Sequence, residues 1–128
     1  MQDYITTYTK KHFTIMEDID INDIAHALSL MTRANGHFSQ FYSVGQHSVG
    51  CAYEALERGY SARVVLGCLL HDGSEAYMAD ITRPLKQHMS AYLVAEEKLQ
   101  NMIFEKFLGQ CPSEEEMAQI KSVDDAML

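Results

Sequence analysis

The sequence has no tryptophan and only two prolines, Pro84 and Pro112. It has no apolar run near the ~20 residues that a membrane helix needs. Lysine and arginine are few, 10 against 18 aspartates and glutamates, and they are scattered. With a formal net charge of -8, a long nucleic-acid polymer is repelled on average, because its binding needs a clustered basic face. A small phosphate ester is not excluded, since one local cation or a bound metal outweighs the global charge. The opening stretch, MQDYITTYTKKHFTIMEDID, lacks the apolar segment of a secretory signal. These absences point to a cytosolic protein that is not held in a membrane. Cys51, Cys68 and Cys111 are odd in number, widely spaced and without a CxxC pair. They read as buried, reduced thiols rather than disulfides or a zinc knuckle.

What remains is a chain suited to helix. Its 128 residues, 47% of them hydrophobic, are enough for one domain with one core. Eight methionines suit an adaptable helical core. No strand pair with a hairpin turn stands out, and most segments carry helical period. The expected fold is all-α, a single-domain bundle of about five to six helices over 21–128, preceded by an N-terminal arm over 1–20.

The breakers set the boundaries. A first helix starts near Asp20 or Asn22 and runs through IAHALSLMTR, with Ile24, Leu28 and Met31 on one face, until Asn35-Gly36 stops it. A second runs from Ser43 to about Arg58, where Gly59 ends it. The third follows Ser61 through ARVVLGCLLHDGSEAYM; it is apolar almost all round and should be the most buried. ADITRP reads as a loop, because the residue before a proline avoids helical geometry. A fourth spans roughly 85–108, up to Gly109. The last follows Pro112, with Ser113 and Glu116 in a capping-box arrangement.

The chemically unusual string is HDGSE, residues 71–75, at the end of the apolar run VVLGCLL. Three ionisable groups there cost several kcal/mol unless they are paired or bind a metal. His71, Asp72 and Glu75 fall three or four apart and crowd one end of a helix. An imidazole with carboxylates suits a divalent transition metal. The bland alternative is a His-Asp pair emerging into solvent. His47 shifts the balance: it lies on the preceding helix, and helices joined by a short turn are usually antiparallel neighbours.

FYSVGQHSV (41–49) followed by LLHDGSEAYMADITRPLK (69–86) resembles the HD-domain metal-dependent phosphohydrolases, and among them the small bacterial 5′-deoxynucleotidase-like branch. The resemblance runs from about Asp20 to the C-terminus. It implies a metal held by His47, His71, Asp72 and the aspartate of a K-x-x-D stretch, Asp124 by its spacing from Lys121, with Asp125 the alternative by register. It implies that Glu75 acts near the water the metal activates and that Asp80 is a second carboxylate there; a solvated loop acid is the other reading of Asp80. Arg33 matches an arginine that contacts substrate phosphate, and a planar guanidinium fork suits that role. Members often carry an aromatic after this arginine; Ala34 here implies an altered sugar or base pocket. Lys86 is either a phosphate-holding point charge or a snorkelling surface lysine.

His12, His26, His37 and His88 lack such context and read as surface or half-buried residues, His37 being nearest the site entrance. The cofactor expected is one divalent ion: manganese, cobalt, iron, nickel or zinc. The substrate expected is a small phosphorylated metabolite, a nucleoside 5′-monophosphate first. Alternatives are a deoxynucleoside triphosphate, or a nucleotide- or metal-binding regulatory module without turnover. A homodimer is compatible with all of these.

Overall fold

Serine side chains start three of the helices. Ser43 accepts from Gln46 N while Gln46 Oε1 accepts from Ser43 N, at 3.0 and 2.7 Å. Ser113 and Glu116 form the same reciprocal pair, and Ser61 accepts from Val64 N. Each hydroxyl satisfies a backbone donor that the helix leaves without a partner, worth roughly 1 kcal/mol. The computed structural model describes residues 5–13 and 18–128; the rest of the N-terminal arm lies outside the described residues.

The described elements are β1 (Ile5–Thr6), β2 (His12–Phe13), α1 (Ile21–Leu30), α2 (Val44–Glu57), α3 (Ala62–Leu70), α4 (Glu75–Met78), α5 (Arg83–Lys86), α6 (Ser90–Leu108) and α7 (Glu114–Ala126). The protein is a small helical domain, as its composition suggests. The two strands pair antiparallel, a ladder the alternation pattern is too short to announce. This hairpin is tied down: buried Asp23 on α1 accepts from both Thr9 N and Thr9 Oγ1, at 2.6 and 3.0 Å. The Phe13 ring stacks on Tyr77, centroids 4.0 Å apart.

Two apolar clusters hold the helices. The larger joins Ile24, Leu28, Val44, Leu70, Leu99, Ile103 and Phe104, with Phe13 and Ile19. The smaller lies where α2, α3 and α7 meet and contains Cys51, Ala55, Val64, Cys68, Ile120 and Val123. Each fully buried aliphatic side chain here contributes about 1.5–3 kcal/mol. At Gly67 a Cβ would come within 2.6 Å of Ile120 Cδ1, so the Ile120 side chain occupies the space over residue 67 and would have to turn aside for any larger residue there.

Three helix boundaries and one helix face differ from the sequence expectation. α1 stops at Leu30; Met31 is extended, Thr32 and Ser43 form a β-bridge, and Arg33 begins a short 3₁₀ turn. The third helix is not continuous to Met78. The chain tightens over 71–74 into i→i+3 bonds, Glu75 N to Asp72 O and Ala76 N to Gly73 O. A Cβ at Gly73 would crowd Leu70 O and Ile103, so glycine permits the turn against α6. The fourth helix is split, because Met89 leaves helical geometry at φ -117, ψ 67. Finally, α3 is not covered on every side. Leu66 and Leu69 are exposed and line, with Tyr53 and Val49, an apolar groove of about 910 Å³. No helix among the described residues is long and apolar enough to cross a membrane.

Candidate metal centre

α2 and α3 lie side by side, and they bring two histidines together. The ring centroids of His47 and His71 are 5.5 Å apart. α7 contributes the third group. Asp124 Oδ1 lies 2.7 Å from His47 Nε2 and 3.2 Å from His71 Nε2. His47 is fully buried in the α2 helix. His71 caps the C-terminus of α3, where unpaired carbonyls collect. Its Nδ1 donates to one of them, Cys68 O, at 2.6 Å. A carbonyl only accepts, so Nδ1 carries the hydrogen and Nε2 is the atom left to face Asp124. An outer hydrogen bond of this kind is how proteins orient a metal-binding histidine.

Cys51 is the group that the sequence reading passed over. It follows His47 by one turn, and its Sγ is 3.5 Å from His47 Nε2. Among the described residues, donor atoms of His47, Cys51, His71 and Asp124 all lie within 4.8 Å of one another. This cluster can hold a metal ion. The signal was available as H-x-x-x-C, a spacing that puts both side chains on one helical face.

The charges around the centre fit a cation. Burial opposes the charged form of His71, but the hydrogen bond to Asp124 and the charges of Asp72 and Asp124 overcome it and raise its pKa to about 9. Burial likewise opposes ionised Asp124, and the two histidines outweigh that and hold its carboxyl far below the usual range. Positive charge is therefore favoured at the point where the donors converge, whether protons or a metal supply it. Burial, then the charge of Asp124, pushes the Cys51 thiol up to about 12.

The metal centre borders a cavity of about 410 Å³ lined by Arg33, Asp72, Glu75, Asp80, Lys86 and Asp124 together with Arg83, Phe38 and others. Asp72 stands outside the four-donor group. Its Oδ2 is 3.3 Å from His71 Nε2 and 3.9 Å from an Arg33 guanidinium nitrogen. Asp80 accepts from Ala34 N at 3.2 Å, which fastens the ADITRP loop to the turn carrying Arg33. Glu75 is buried and hydrogen-bonded to Asp80; burial first, then the charges of Asp72 and Asp80, raise its pKa well above the usual range. Its Oε2 has no hydrogen-bond partner. Lys86 faces the cavity but is gripped by both oxygens of Glu96, at 3.1 and 3.0 Å. Asp125 is exposed and pairs with Arg83 instead. His12, His26, His37 and His88 are exposed.

No family model matches the chain. It is 41% identical over 108 residues to the uncharacterized Escherichia coli K12 protein YfdR, covering 81% of this chain and 58% of that protein. It is 33% identical over 95 residues to an uncharacterized protein of Rhodobacter capsulatus, covering 70% of this chain and 48% of the relative. The chain thus spans about half the length of these bacterial relatives.

Proposed function

We propose that this protein is a metal-dependent phosphohydrolase of the HD-domain type, a phosphomonoesterase acting on nucleoside 5′-monophosphates. One observation carries the reading: a single cavity is lined by Asp124 of the metal centre, by Asp72 beside it, and by the cationic groups of Arg33 and Lys86. A phosphate dianion needs the cations, and hydrolysis needs an acid and a base beside them.

His47, His71 and Asp124 would hold the divalent ion, with Asp72 just outside the donor group, 3.3 Å from His71 Nε2. When bound, it supplies positive charge that polarises the phosphoryl group and acidifies water. Arg33 offers two parallel N–H donors to phosphate oxygens, and Asp72 beside it keeps the guanidinium aimed into the cavity. Lys86 adds a point charge, shared with Glu96. Glu75 keeps its proton at neutral pH because it is buried among other acids. It gives that proton to the leaving 5′-oxygen as the P–O bond breaks. Asp80 takes the proton released as the attacking water bonds to phosphorus. The Glu75–Asp80 hydrogen bond then returns the proton, so the pair ends each cycle as it began. A homodimer is compatible with this site, and sedimentation velocity reads it directly.

The test is to purify the protein without chelator, measure bound metal by plasma mass spectrometry, and follow inorganic phosphate release from a nucleoside monophosphate panel with added manganese, cobalt or zinc. About one ion per chain, diminished in Asp72→Ala, with release of inorganic phosphate, is the expected result. Metal without turnover on any phosphomonoester would leave a binding module and end the hydrolase reading. Release of triphosphate from a deoxynucleoside triphosphate would reassign the substrate.

A further inference from the structure

We propose that Cys51 supplies a thiolate ligand to the metal centre, so that the site selects a thiophilic divalent ion, zinc first, over oxygen-preferring manganese. This rests on the reading of the His47–His71–Asp124 cluster as a metal site. It goes beyond that reading by naming a donor absent from the expected ligand set and, through it, the class of ion.

The geometry points to Cys51 in two ways. His47 and Cys51 are one turn apart on α2, with Sγ 3.5 Å from Nε2 and 4.0 Å from Nδ1, and Sγ is one of four donor atoms that lie within 4.8 Å of one another. Tetrahedral zinc with Zn–N of about 2.0–2.1 Å and Zn–S of about 2.3 Å places the two ligand atoms ~3.5 Å apart. The same geometry separates a nitrogen and an oxygen ligand by ~3.3 Å, and His71 Nε2 stands 3.2 Å from Asp124 Oδ1. The His47–Asp124 pair, at 2.7 Å, is a direct hydrogen bond and opens by about 0.6 Å to reach that spacing.

Cys68 provides the internal contrast. It is as buried as Cys51 and packs in the same apolar cluster. Yet its thiol is not among the four converging donors; only its carbonyl serves the site, by orienting His71. A cysteine needed merely to fill space would look like Cys68. Two imidazoles, one thiolate and one carboxylate form a set of borderline and soft donors, which suits zinc and cobalt better than manganese. As the sulfur–metal bond forms, the thiol proton leaves to solvent, so binding releases one proton from Cys51.

The experiment loads the full chain with one cobalt(II) ion and records the near-ultraviolet spectrum for thiolate-to-cobalt charge transfer. The absorption is expected in the wild type and in Cys68→Ser/Cys111→Ser, which keeps Cys51 as the only thiol. It is expected to vanish in Cys51→Ser, which still binds cobalt. In competition, the zinc-over-manganese preference of Cys51→Ser is expected to fall by about tenfold or more. Should the double variant not fold, the wild-type and Cys51→Ser spectra decide alone. One cobalt per chain without the absorption, or the absorption retained in Cys51→Ser, overturns the Cys51 ligand and leaves the metal site standing. No cobalt bound at all removes the metal reading and this inference with it.

Discussion

Asp124 and Glu75 border the same cavity and carry the same functional group, yet their surroundings drive them to opposite proton states. Asp124 faces two imidazoles that α2 and α3 deliver from the core, and it stays ionised despite partial burial. Glu75 sits deeper, faces other acids, and holds its proton. Burial opposes charge at both positions; the neighbours decide the outcome. One side of the His71–Asp72 turn is built to keep a cation, the other to keep a proton.

The most damaging way to break this comparison is Asp124→Ala. It strips His47 and His71 of their shared acceptor. Bound metal measured by plasma mass spectrometry is expected to fall below a tenth of the wild-type content, and phosphate release by on the order of 10³-fold. Loss of an outer partner alone costs about 10–100-fold. Retained metal at wild-type stoichiometry would remove Asp124 from the centre.

Glu75→Gln should split function from stability. Turnover is expected to drop by about 10²-fold or more, the usual worth of a placed proton donor. Thermal stability should rise, on the order of 5 °C at pH 8. The sign follows from the raised pKa. Above the ordinary value of 4.5 the unfolded chain releases the Glu75 proton and the folded chain keeps it, so folding grows costlier with pH. The gain should therefore be larger at pH 8 than at pH 5. An unchanged or lower melting point at pH 8 would contradict the protonated, buried acid.

His71 makes a finer distinction. Its pKa is raised in the folded protein, from 6.5 to about 9, so its contribution is fully present below pH 6.5 and is lost as pH rises through 9. Chelated protein should lose stability across that window in thermal melts. His71→Asn should show a shallower decline, and the wild type with zinc should too, because the metal takes the place of the proton. Equal slopes in all three would mean that His71 is not charged in the metal-free fold.

The smallest effect expected is from Asp125→Ala. Asp125 is exposed and pairs only with Arg83 among the described residues. Stability should move by less than about 0.5 kcal/mol and metal content not at all. Metal loss here would shift the fourth ligand by one residue.

The helical class, the starts of α1, α2, α3 and α7 and the pairing of the helices that carry His47 and His71 were legible, because polar caps and apolar period act locally; how closely the two imidazoles approach was not. The choice between Asp124 and Asp125 stayed open in the sequence; the structure turns Asp124 inward and Asp125 outward. Four further features were not legible. The 71–74 turn leaves least room at Gly73 beside Leu70 O, with Ile103 of α6 in ordinary contact beyond it, a backbone constraint that apolar period does not report. The uncovered leucines of α3 depend on which neighbours the topology supplies, and an all-apolar helix reads as buried either way. Cys51 was hidden by its own residue type, since buried thiols usually only fill space. Arg33 lies past the end of α1 because the Thr32–Ser43 bridge competes with the last helical turn.

The close approach at Gly67 carries a consequence for how this protein varies between species. Ile120, the residue that fills the space over Gly67, lies one turn before Asp124 on α7. A single methyl group added at position 67, touching neither ligand nor cavity, meets the tip of Ile120 first, so a change of that side chain's rotamer takes up the strain before the backbone that carries Asp124 has to move. Positions 67 and 120 therefore share one space, and a larger residue at 67 is best matched by a smaller one at 120.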